Sequence, residues 1–118
     1  KESPYRFCEQ VRKFVQKDDS LYDAGGITRP DVLFYLGRYV LSGIEFVHTN
    51  DLVLVSGAPS DLQILLHGKY QKLFILIDDE ELKWLKNSNM PFEEVFPGKD
   101  YDQAIRRGAH LIRAKRRE

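Results

Sequence analysis

A single cysteine, Cys8, stands in the whole chain, so neither an internal disulfide nor a cysteine-based zinc site can form. Its place beside Phe7 on a helix face suits a reduced, buried thiol. No apolar run approaches the roughly 18 to 20 residues that a membrane span needs, and the opening Lys1-Glu2-Ser3 is nothing like a signal peptide. The chain therefore reads as soluble and intracellular, with cytoplasm and nucleus not distinguished. Net charge is absent as well, with 18 basic and 18 acidic residues. That balance lacks the high isoelectric point of a dedicated nucleic-acid binder. Internal repeats, low-complexity tracts and linkers are missing too, so 118 residues with 42% hydrophobic content read as one globular domain. A first residue other than methionine fits a domain taken from a longer protein.

Catalytic signatures are equally scarce. The sequence has no Gly-x-Ser-x-Gly elbow, no His-Glu-x-x-His and no Gly-x-Gly-x-x-Gly, and Gly25-Gly26 lacks the Gly-Lys-Ser/Thr of a phosphate loop. His48, His67 and His110 fall in different segments, without paired metal-ligand spacing. No cofactor is implied.

What the chain does contain is patterned. Ser3-Pro4 makes a helix start, and Phe7, Val11, Phe14 and Val15 recur at helical spacing to about Lys17. Residues 18 to 29 read as a loop. A second helix is expected from Thr28 through Val32, Leu36, Tyr39 and Leu41 to a stop at Gly43, apolar around most of its circumference. Within it, Val32 to Val40 resembles the central helix of SWIB-type domains. That resemblance covers nine residues and implies a peptide-binding cleft walled by Leu33, Leu36, Tyr39 and Val40. Residues 72 to 77 read as a strand where that family continues with helices, so the family is not assigned.

The middle of the chain changes period. Ile44–His48 and Leu52–Ser56 are short β-prone runs around Thr49-Asn50-Asp51, and a helical patch follows from Asp61 to His67. Lys72 to Ile77 is a continuous apolar run, the pattern of a strand covered on both faces. If Leu52–Ser56 and Lys72–Ile77 belong to successive βαβ units, they run parallel and end on one edge of the sheet. Asp78 and Glu81 then have the spacing of a capping box for a helix carrying Leu82, Trp84 and Leu85. Pro91, Pro97 and Gly98 mark a connector pinned by Phe92, Val95 and Phe96, with 92 to 96 open to a short edge strand.

Residues 102 to 118 hold six cations and two acids, a local charge of +4 on a body of −4. At 100° per residue, Arg106, His110, Arg113 and Arg117 share one side of a helix from Tyr101 to Glu118, opposite Ala104, Ile105, Leu111 and Ile112. Its final turn, with Lys115 and Arg116, is expected to be free.

These observations give a small α/β domain. It has a short mixed or partly parallel sheet of about three to four strands packed with helices, and a basic C-terminal helix. The leading functional expectation is a non-enzymatic interaction or regulatory domain that recognises a segment of another protein, or the rest of its own parent chain. Arg106, His110, Arg113, Arg117 and Trp84 are its contact residues, tryptophan being enriched at binding hot spots. The first alternative is RNA or DNA bound by the basic helix through arginine-phosphate contacts. The second is a phosphate- or nucleotide-handling enzyme, with Ser56, Gly57, Asp78 and Asp79 holding phosphate or Mg²⁺ at strand ends. For Asp78 the capping role weighs more than the catalytic one.

Overall fold

The computed structural model describes residues 5–24, 36–37, 62, 65–66, 72–96 and 108–115. Two helices, α1 (Tyr5–Phe14) and α2 (Asp79–Asn87), and four strands, β1 (Ser20–Asp23), β2 (Leu73–Asp78), β3 (Phe92–Phe96) and β4 (Ala109–Ala114), are formed by them. The strand order is β1-β2-β4-β3, with β1 parallel to β2 and β4 antiparallel to both of its neighbours. This is a mixed sheet of the α/β class.

Buried side chains divide into a cluster on each face of the sheet. Phe7, Cys8 and Val11 form the inner stripe of α1 and, with Val15 directly beyond its end, pack with Leu21, Phe74, Leu76, Ala109 and Leu111. On the other face, Leu82 and Leu85 of α2 pack with Tyr22, Leu73, Ile75, Ile77, Ile112 and Ala114. Leucines from the middle of the chain complete both layers, Leu36 on the α1 side and Leu62, Leu65 and Leu66 on the α2 side. Covered on both faces, β2 has no use for polar alternation, and its first five residues are all buried.

Local chemistry accounts for the ends of the elements. Arg12 and Lys13 lie in the last turn of α1, where cations offset the helix dipole. The Gln16 amide just beyond donates to Asp19 Oδ2 at 2.7 Å, tightening the turn into β1. At α2 the capping box forms in both directions: the Glu81 amide donates to Asp78 Oδ1 at 2.9 Å, and the Asp78 amide donates to Glu81 Oε1 at 3.0 Å. The same helix ends with the Met90 amide donating to the Leu85 carbonyl and the Asn89 amide to that of Lys86, while Asn89 takes φ 56°. That is a Schellman termination with asparagine in the left-handed position.

Three sequence expectations are corrected. The C-terminal segment is not a helix where it is described: Ala109–Ala114 is β4, lying between β2 and β3. Alanine and leucine favour helices, but the slot between two strands imposes an extended backbone that outweighs propensity. The stretch read as a loop from residue 18 contains β1, whose register pairs Leu21 with Phe74 and Tyr22 with Ile75. The second helix does not run unbroken to Gly43, because Gly37 has φ 62°, a left-handed conformation that interrupts a right-handed helix directly after Leu36.

Other expectations agree with the described residues. The run read as a strand at 72 to 77 is β2, shifted by one residue, and the helix behind Asp78 is present; of the two readings of 92 to 96, connector or short edge strand, the strand is the one formed. The Leu66 amide donates to the Leu62 carbonyl at 2.8 Å, a helical bond inside the patch read at 61 to 67. The β-prone runs at 44 to 48 and 52 to 56 lie outside the described residues, and the parallel neighbour of β2 is β1. No helix among the described residues is long and apolar enough to cross a membrane.

Candidate functional site

Strand β4 carries two polar residues in an otherwise buried sequence, and each finds partners on a different face. The reason is the two-residue period of a strand, which sends positions 110 and 113 to opposite sides of the sheet. His110 joins the α2 face with Ile112 and Ala114, while Arg113 joins the α1 face with Ala109 and Leu111.

On the α2 face, antiparallel pairing sets Ala109 opposite Asp78 and His110 opposite Ile77, bringing the start of β4 to the first turn of α2. His110 Nε2 lies 2.6 Å from Asp79 Oδ1, and His110 Nδ1 lies 2.6 Å from Glu94 Oε2 on β3. The other Asp79 oxygen accepts the Gly108 amide at 3.0 Å. A Cβ at position 108 would sit 2.8 Å from Asp79 Cγ, so a larger residue there has to push the Asp79 carboxylate aside. These bonds hold the Asp79 carboxyl below its ordinary value of 3.8, the His110 contact contributing most; burial opposes it, and the Gly108 amide adds to the lowering.

On the α1 face, Arg113 Nε donates to Glu93 Oε1 at 3.2 Å. Its guanidinium carbon lies 5.5 Å from the centroid of the Phe74 ring. Register explains both contacts, because Arg113 is the direct cross-strand partner of Glu93 on one side and of Phe74 on the other. Glu93 and Glu94, adjacent on β3, thus hold the two polar residues of β4 from opposite faces.

Two members of the basic face expected of a helix are parted by the strand. His110 and Arg113 do not share a face, and Arg106 and Arg117 lie outside the described residues. The basic face was drawn on a helix that residues 109 to 114 do not form. Asp78 is occupied as the cap of α2, and Asp79 is held by His110 and Gly108. Ser56 and Gly57 lie outside the described residues. Asp79 and Glu94 approach opposite nitrogens of one imidazole, so their oxygens do not converge on a common point. Among the described residues no group of three His, Cys, Asp or Glu side chains is arranged to hold a metal.

Trp84 is half-buried on α2 and packs against the α2-side core, as do the half-buried Met90 and Phe92. Sequence reasoning missed Glu93, Glu94 and Gly108. The available signal was a pair of adjacent acids in a short β-prone segment, which a strand sends to opposite faces. No protein-family model matches the chain, and neither curated proteins nor solved structures provide a match.

Proposed function

We propose that this domain recognises a segment of another protein along the β3 margin of its sheet, without carrying out chemistry. The observation that carries the reading is the way β3 is braced. It is an end strand of the sheet, and Glu93–Arg113 and Glu94–His110 tie it to β4 from both faces. No strand lies beyond it among the described residues. A braced marginal strand suits β-augmentation, in which an extended segment adds to the sheet through main-chain hydrogen bonds. Met90 and Phe92, half-buried at the beginning of β3, and half-buried Trp84 of α2 offer apolar surface for a side chain of the incoming segment.

The test is selection of binding peptides from a displayed random library, followed by amide-resolved NMR with the selected sequences. Shifts concentrated on residues 92 to 96 and on the Trp84 indole are expected, and Val95→Pro should abolish them while the remaining spectrum stays folded. Shifts confined to another surface, or no saturable peptide, overturn the proposal. A salt-dependent response to RNA or DNA oligonucleotides alone would favour nucleic acid instead.

A further inference from the structure

The imidazole of His110 joins β4 to two other elements at once, α2 through Asp79 and β3 through Glu94, with both contacts at 2.6 Å. A neutral imidazole carries hydrogen on one nitrogen, whereas the charged ring donates from both. With both carboxylates ionised, both contacts are therefore hydrogen bonds only in the charged form of the ring. We infer that His110 is a proton-operated clasp: charged, it ties the first turn of α2 to β3; neutral, it keeps Glu94 and releases Asp79.

The direction of release follows from the surroundings of the two acids. Glu94 is 25% exposed and Asp79 65%. Loss of its donor leaves the Asp79 carboxylate to open water, while Glu94 would lose its hydrogen-bond partner in a far less solvated position. Hydrogen therefore stays on Nδ1. The Nε2 lone pair then confronts a carboxylate oxygen at hydrogen-bond distance with no proton between them, which drives the Asp79 side chain outward. Gly108 loses its acceptor in turn, so the event reaches the beginning of β4. The acids in contact with His110 among the described residues are Asp79 of α2 and Glu94 of β3, while Asp78 and Glu81 of the adjoining capping box bond to each other. Arg113, the other charged residue within β4, projects from the opposite face.

The experiment follows the His110 ring nitrogens and the Gly108 amide by NMR through a pH titration. The neutral ring is expected to carry its hydrogen on Nδ1, and the Gly108 resonance to move with the same midpoint as the ring. In Glu94→Gln the neutral ring should shift its hydrogen to Nε2 and retain Asp79, so the Gly108 response collapses. Should that variant fail to fold, Asp79→Asn, altered only at the exposed end, should also lose the coupled response. A wild-type neutral ring with hydrogen on Nε2 overturns the inference. So does a Gly108 resonance that stays still while His110 titrates, or one that still follows the ring undiminished in the folded variants.

Discussion

His110 and Arg113 stand three residues apart on β4, point to opposite faces of the sheet, and each ends on one of two adjacent glutamates of β3. A single pair of strands is thereby fastened on both sides. In a helix the same spacing would put the two residues on one face, so this arrangement is a property of the strand.

Arg113 contributes through packing as well as charge. Glu93→Gln is expected to cost about 0.5 kcal/mol, as for a partly exposed ion pair. Arg113→Ala should cost more, about 1 to 1.5 kcal/mol, because contact with the Phe74 ring is lost too. Urea denaturation of both single variants and the double variant separates the two contributions. Equal losses from the single variants would leave Phe74 without a role.

The core is expected to respond on both faces of the sheet. Leu111→Ala on the α1 side and Leu85→Ala on the α2 side each remove a side chain with no exposed surface. Each should destabilise by about 2 to 5 kcal/mol, the spread reflecting how far the surroundings collapse. Thermal and urea unfolding measure both. A loss below 1 kcal/mol at either site would contradict its place in a packed layer.

Asp79 gives stability a specific dependence on acid. Its folded value lies below its ordinary 3.8, chiefly through the His110 hydrogen bond. A depressed carboxyl contributes stability that is fully present above the unfolded value and is lost as pH falls through the folded one. The wild type should therefore weaken as pH falls below about 4 more steeply than Asp79→Asn. Urea midpoints from pH 6 to pH 2 provide the comparison, and parallel curves would show that the bond contributes nothing.

The end of α2 depends on a left-handed residue. Asn89 has φ 56°, which asparagine tolerates and β-branched residues resist. Asn89→Val should cost about 1 to 2 kcal/mol, while Asn89→Gly should be neutral or mildly stabilising. Denaturation midpoints of the two variants decide it, and equal values would mean the Schellman turn is not formed in solution.

Gly108 is held small by its neighbour. Gly108→Ala would place a methyl group against the Asp79 carboxylate and displace it from His110. The expected reading is a change in the His110 ring nitrogen shifts at neutral pH, with the β-sheet pattern of amide shifts intact. Unchanged ring shifts would mean that Asp79 accommodates the methyl group without leaving.

Elements governed by neighbouring residues were legible in the chain itself. The apolar run of β2 has one use, a strand buried on both faces, and Asp78 with Glu81 forms its capping box within four residues. The inner stripe of α1 likewise follows from the spacing of Phe7 and Val11, continued by Val15 just beyond the helix. By contrast, β1 is four residues long, too short to display a period, and exists because Leu21 and Tyr22 find β2 beside them. The sequence of β4 fits a helical stripe as well as a strand covered on both faces, since His110 and Arg113 can be polar on one helix face or one on each sheet face. Tertiary structure decided between them, because the space between β2 and β3 offers backbone hydrogen bonds along both sides of an extended chain. It also provides Asp79, Glu94, Glu93 and Phe74 where those two side chains emerge. Spacing alone could not bring residue 79 to residue 110; sheet register did.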